Sequence, residues 1–68
     1  AGAGGSPVVA SDGGTVTFAG RNGGYGLCVM IDHGNGFVTL YAHNSQLLVK
    51  KGQKVAQGEQ IAKVGSTG

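Results

Sequence analysis

The 68 residues hold a single cysteine, only three acidic side chains and no uninterrupted apolar run approaching a membrane span. Each shortage removes a class of molecule. Cys28 has no partner for an internal disulfide, and the Cys/His spacing that closes a four-ligand zinc site is missing as well. A spanning helix needs about 20 apolar residues, and a secretory leader needs a charged stretch followed by an apolar one. Neither pattern occurs within these residues, so no membrane contact is expected of them. Five basic residues against three acids give a net charge of +2, and only Lys50, Lys51 and Lys54 cluster. A nucleic-acid footprint needs a longer basic stripe with stacking aromatics, so no nucleic-acid partner is expected. The 3.6-residue apolar period is absent too, apart from one turn near Ser45 to Leu48, which leaves almost no room for helix.

What is abundant is glycine, 15 residues set singly or doubly between short β-branched runs. That arrangement is turn punctuation, and the class it predicts is all-β. Pro7 to Ala10 and Thr15 to Ala19 flank Asp12-Gly-Gly14, which predicts a first hairpin. Leu27 to His33 and Phe37 to His43 flank Gly34-Asn35-Gly36 and predict a second; Gln60 to Val64 reads as a last short strand. Between them, Gly52-x-x-Val55-x-x-Gly58-x-x-Ile61 makes a compact corner around one buried valine. Asp12 and Asp32 sit beside tight turns, where a carboxylate satisfies the turn backbone.

A chain of this size buries a thin core, and without a disulfide or a metal its stability must come from partner chains or from further sequence. Both ends, Ala1 to Gly5 and Gly65 to Gly68, have mid-loop composition, which reads as one partial domain, 1–68, cut from something larger. An incomplete sheet leaves unpaired edges, so self-association is expected.

If the central hairpin turns at two residues with regular pairing, Leu27, Val29 and Ile31 share a face with Val38, Leu40 and Ala42. The other face then gathers Cys28, Met30 and Asp32 with Thr39, Tyr41 and His43. On that division His43 stands at a strand end on the polar side, where taken alone it reads first as an ordinary surface histidine and second as a group for acid/base, oxyanion or metal chemistry, whereas His33 lies on the aliphatic side and bonds the Gly34-Asn35-Gly36 loop. A Cys28–His43 nucleophilic pair is the sharp alternative, but cysteine within Leu-Cys-Val-Met-Ile reads as a small buried hydrophobe. Asn22-Gly-Gly-Tyr-Gly26 lacks the following helix that a phosphate loop requires, and reads as a flexible loop carrying an aromatic.

The order of these motifs resembles the lysostaphin-type, peptidoglycan-cleaving zinc endopeptidases. The matching stretches are Gly5 to Ala10, Asp12 to Gly20, Gly24-Tyr-Gly26, Ile31 to Phe37, Tyr41-Ala-His43, Val49 to Val55, Gly58 to Ala62 and Val64 to Gly68. The resemblance implies an antiparallel β-sheet of the barrel-sandwich hybrid type, here the incomplete core of such a peptidase domain. In that family a His-x-x-x-Asp segment precedes the stretch like Gly5 to Ala10, and a His-x-His segment follows the stretch like Gly65 to Gly68. Together they hold zinc and leave an open position for water; this chain has neither. By the same resemblance His43 is the catalytic histidine that orients the zinc water or stabilises the tetrahedral oxyanion, with Tyr41 flooring a narrow substrate groove; Tyr25, on its loop, either lines that groove or packs on its own hairpin. Zinc is thus implied for the intact parent domain and none for this chain, which is expected to be inactive alone. The implied substrates are peptidoglycan peptides, and the implied location is the bacterial cell envelope, periplasmic or extracellular.

Two other functions compete. One is a non-catalytic family member acting as a cell-wall binding or activator module, distinguished by whether the flanking ligand segments are intact. The other is a biotinyl/lipoyl-like carrier, suggested by the glycine corner but poorly served by Lys50 and Lys51, which are not at a hairpin tip.

Overall fold

The computed structural model describes residues 5–65. The terminal stretches 1–4 and 66–68, part of the ends whose composition suggests mid-loop sequence, lie outside the described residues. Each short β-branched run becomes a strand: β1 (Pro7–Val9), β2 (Gly14–Arg21), β3 (Leu27–Gly34), β4 (Phe37–Leu47), β5 (Lys54–Val55) and β6 (Gln60–Val64). They form one antiparallel sheet in the order β1-β6-β4-β3-β2-β5. The all-β expectation holds. The turn of helix expected near Ser45 to Leu48 is not there; β4 runs on, and its Asn44–Leu47 portion pairs with β6.

The first expected hairpin is also absent. β1 pairs with β6 and β2 with β3, so Ser11 to Gly13 is a crossover, not a tight reversal. The reason lies in what the glycines do there. Gly14 sits so close to β3 that an added Cβ would fall 2.8 Å from Ile31 Cγ2 and onto the Asp32 carbonyl. Its lack of a side chain serves close strand packing and not a hairpin turn.

The corner between β4 and β6 curls the sheet. The Val16 amide donates to the Gln53 carbonyl (2.8 Å), and the Gly52 amide to the Val16 carbonyl (2.7 Å). On the other side the Ala10 amide donates to the Glu59 carbonyl (2.9 Å), and the Gly58 amide to Ala10 (2.8 Å). One segment therefore ties β2 to the chain leaving β1, and the sheet becomes a half-barrel. Val55 turns inward at the middle of the corner, as its spacing predicts, and joins Ala10, Val16, Val29, Ile31, Val49, Ile61 and Ala62 in the core. Full burial of a side chain such as Ile31 or Ile61 stabilises the fold by about 1.5–3 kcal/mol.

The central hairpin forms where expected, but its faces do not divide as expected. Asn35 (φ 54°) and Gly36 (φ 80°) make the reversal, with Gly34 opposite Phe37. The next pair is Asp32 with Val38, so β3 spends one extra residue, His33, in a bulge. Every later pair is displaced by one: Ile31 faces Thr39, Met30 faces Leu40 and Val29 faces Tyr41. A one-residue slip sends each side chain of a strand to the opposite face. Thr39 and Tyr41 thus join the core side, while Val38 and Leu40 are turned to solvent at 55% and 42% exposure. The aliphatic face assigned from regular pairing does not exist.

Candidate functional site

The bulge that misplaces the aliphatic residues assembles a chain of polar groups beneath the crossover. The His33 ring bridges Gly13 and Thr39, with Nδ1 2.7 Å from the Gly13 carbonyl oxygen and Nε2 2.6 Å from Thr39 Oγ1. A carbonyl only accepts, so Nδ1 carries a proton. The Thr39 hydroxyl donates to the Tyr41 hydroxyl (2.9 Å), which also receives the Ser11 amide and meets Ser11 Oγ, both at 2.9 Å. His33 therefore has the structural role expected of it, with different partners. The turn it was expected to bond is capped instead by Asp32, whose Oδ1 accepts from the Gly34 amide at 2.8 Å. Asp12 likewise accepts from Gly13 (2.8 Å), as its position beside a turn predicts.

Tyr41 feels this network in its acidity. Burial pushes its phenol up, but hydrogen bonds from the Ser11 hydroxyl, the Ser11 amide and the Thr39 hydroxyl together outweigh it, and the net pKa falls below 10.0. Its ring packs against the core cluster, so it does not stand on a separate reactive face. Ser11 and Thr39 were missed as partners because period-2 parity reads Thr39 outward and a predicted hairpin keeps Ser11 near β2. The only trace of the bulge in the sequence is the third residue, Gly34, ahead of Asn35-Gly36.

His43 is placed by a second bulge. β4 advances three residues from Tyr41 to Asn44 while β3 advances two, from Val29 to Leu27. The surplus is absorbed at His43, which adopts φ 59°, an uncommon conformation for a residue other than glycine. Neighbouring groups hold it there. The Gly65 amide donates to the His43 carbonyl (2.9 Å), and buried Asn44 donates through Nδ2 to the carbonyls of Leu27 (3.1 Å) and Tyr41 (2.9 Å). A Cβ on Gly65 would lie 2.6 Å from the His43 oxygen, so glycine there permits the approach. The imidazole itself is exposed and has no hydrogen-bond partner among the described residues. It is not packed among Val29, Ile31 and Leu40.

At the same end of the β3–β4 ladder, Gly23–Tyr25 forms a short 3-10 turn closed by the Asn22 amide donating to the Gly26 carbonyl (2.8 Å). The expected flexible loop is a bonded turn, and Tyr25 stands half-exposed on it. Cys28 is fully buried, as a small hydrophobe should be, which leaves no access for nucleophilic chemistry.

The described residues contain no cluster of three His, Cys, Asp or Glu side chains able to hold a metal. Both nitrogens of His33 are occupied by Gly13 and Thr39, leaving His43 as the free imidazole among them. The donor set for a zinc ion is therefore not supplied by the described residues.

The profile of peptidase family M23 matches residues 1–68. A DD-carboxypeptidase/endopeptidase, Mpg, of Neisseria gonorrhoeae is 56% identical over 64 residues, covering 94% of this chain and 15% of the relative. A lipoprotein NlpD/LppB homolog of Pseudomonas aeruginosa is 51% identical over 65 residues, covering 94% of this chain and 22% of the relative. The murein hydrolase activator NlpD of Salmonella dublin is 42% identical over 69 residues, covering all of this chain and 18% of the relative. A solved Pseudomonas aeruginosa chain described as an M23 peptidase superimposes with a TM-score of 0.89 at 40% identity, across 96% of this chain and 29% of that one. The chain thus spans less than a quarter of the length of these curated relatives. With the motif order, the curled antiparallel sheet and these matches in agreement, the chain belongs to peptidase family M23.

Proposed function

We propose that this chain is the central sheet of a zinc-dependent peptidoglycan endopeptidase domain in the bacterial cell envelope, and that His43 is its catalytic histidine. The observation that carries the reading is the backbone at residue 43. A left-handed conformation, held by Gly65 and Asn44, presents an imidazole with no partner of its own at the end of the sheet. Unusual backbone of this kind is sustained where it positions a functional group. In the proposed role His43 donates a hydrogen bond to the oxyanion formed as water adds to the scissile carbonyl. Tyr25, half-exposed at the same end of the ladder as His43, borders the groove in which the peptide lies, whereas Tyr41 braces β4 through its bonds to Ser11 and Thr39. Zinc ligands belong to segments other than the described residues, and the chain alone performs no hydrolysis.

A second reading is a non-catalytic activator, favoured by the 42% identity to a protein named as a murein hydrolase activator. One exchange separates them: these residues replace the corresponding 64 of the gonococcal DD-carboxypeptidase/endopeptidase, with and without His43→Ala. The enzymatic reading expects the chimera to cleave peptidoglycan, and His43→Ala to lower kcat by about 10²–10³-fold with unchanged zinc content. An active chimera indifferent to His43→Ala would refute the catalytic assignment. A folded, zinc-loaded chimera that never cleaves would favour the activator.

A further inference from the structure

We infer that the hollow between the Asn35-Gly36 turn and the Ser11–Gly13 crossover is a saccharide subsite that takes a neutral amino-sugar ring of a glycan strand. The hollow has a volume of about 380 Å³, within the roughly 300–1,000 Å³ of small-molecule sites. Ser11, Thr39 and His33 form its floor, and those groups are spent on one another through the Tyr41 network. The rim has capacity to spare. Asp12 uses Oδ1 on the Gly13 amide and keeps the other oxygen free, while the Asn35 amide, both donor and acceptor, has no partner among the described residues.

Beside them stands Phe37, whose 71% exposure is the highest among the large apolar side chains. An aromatic at a hairpin tip packs nothing in the core, so burial does not account for it. An exposed ring flanked by a carboxylate and an amide suits a ligand with one apolar face and hydroxyl or acetamido groups around its edge, which describes a pyranose. The charge at the rim argues in the same direction. Asp12 brings a carboxylate to the rim and neither Lys nor Arg lines the hollow, so anions such as phosphate or a peptide carboxylate are disfavoured.

The subsite is far from His43. Phe37 and His43 stand at opposite ends of the ladder that β4 makes with β3, six residues apart, a span of at most about 20 Å along an extended strand. Assigning the glycan to peptidoglycan rests on the function proposed above; the recognition of a sugar ring does not. A glycan strand bound at one end of the sheet would leave a stem peptide free to reach the other.

The test is titration of the ¹⁵N-labelled 68-residue chain with tri-N-acetylchitotriose, a peptide-free probe. Shifts at Asp12, Asn35 and Phe37 and saturation transfer from the Phe37 ring are expected. Phe37→Ser should weaken binding by about tenfold or more, with amide shifts elsewhere unchanged, and Phe37→Tyr should retain it. The inference is overturned if the probe leaves these amides unmoved, if Phe37→Ser binds as well as the parent, or if a stem pentapeptide and not the sugar shifts them. Because nothing is hydrolysed in this measurement, its failure leaves the peptidase reading standing, and loss of the His43 effect leaves the subsite standing.

Discussion

Replacing Thr39 with valine removes one hydroxyl and almost no volume, which makes it a direct probe of the bulge at His33. In the observed register that hydroxyl joins His33 Nε2 at 2.6 Å to the Tyr41 hydroxyl at 2.9 Å. Thr39→Val breaks both contacts and leaves a half-buried ring nitrogen facing a methyl group. Each hydrogen bond contributes about 1 kcal/mol net, and stranding a buried polar atom costs about 1–3 kcal/mol, so a loss of about 2 kcal/mol is expected. For a domain of this size that corresponds to a fall in Tm of about 8–16 °C. The assay is urea or thermal unfolding followed by far-UV circular dichroism, with Tyr41→Phe and the double variant completing a cycle. The two losses should overlap, because both substitutions break the same contact. Leu40→Ser is the control, since Leu40 faces solvent and its replacement should change stability by less than about 1 kcal/mol. Regular pairing predicts the reverse order, with Leu40 in the core and Thr39 outside. If Thr39→Val costs under about 0.5 kcal/mol while Leu40→Ser costs 2 or more, the bulged register is wrong.

Gly14→Ala should destabilise by about 1–3 kcal/mol or more, read in the same unfolding assay, because its Cβ meets the Asp32 backbone and Ile31 Cγ2 with nothing flexible to give way. A variant as stable as the parent would show that β2 and β3 lie further apart. The Tyr41 phenol should ionise below pH 10.0 by NMR titration, and Thr39→Val should move its midpoint upward. The sign follows from linkage: a depressed folded pKa adds stability that is fully present above the unfolded value and is lost as pH falls through the folded one. A midpoint at or above 10 would mean that burial, not the Ser11 and Thr39 hydrogen bonds, controls the phenol.

The contrast between Val55 and Val38 shows how far local pattern reaches in this molecule. Val55 is flanked at fixed spacing by Gly52 and Gly58, whose φ angles of 92° and 81° reverse the chain on either side, so its inward position follows from nearby residues alone. The Asn35-Gly36 reversal, the burial of Cys28 and the end of the last strand are legible on the same terms, as is the family through the order of its motifs. Val38 depends instead on which residue of a partner strand it faces. One extra residue at His33 inverts every side chain beyond it, and nothing adjacent in the chain announces the insertion except a third glycine-permitting position.

The same limit divides the functional residues. His43 can be singled out from Tyr41-Ala-His43 within the motif order, yet its left-handed backbone arises from Asn44 and Gly65, the latter brought beside it only when β4 meets β6. Ser11 and Tyr41 are 30 positions apart and touch only because the crossover replaces the expected first hairpin. Turn chemistry and alternation act over a few residues and can be read along the chain. Strand order, bulge placement and the contacts they create are settled by which packing buries the apolar side chains while pairing their backbones, and that competition has no local signature.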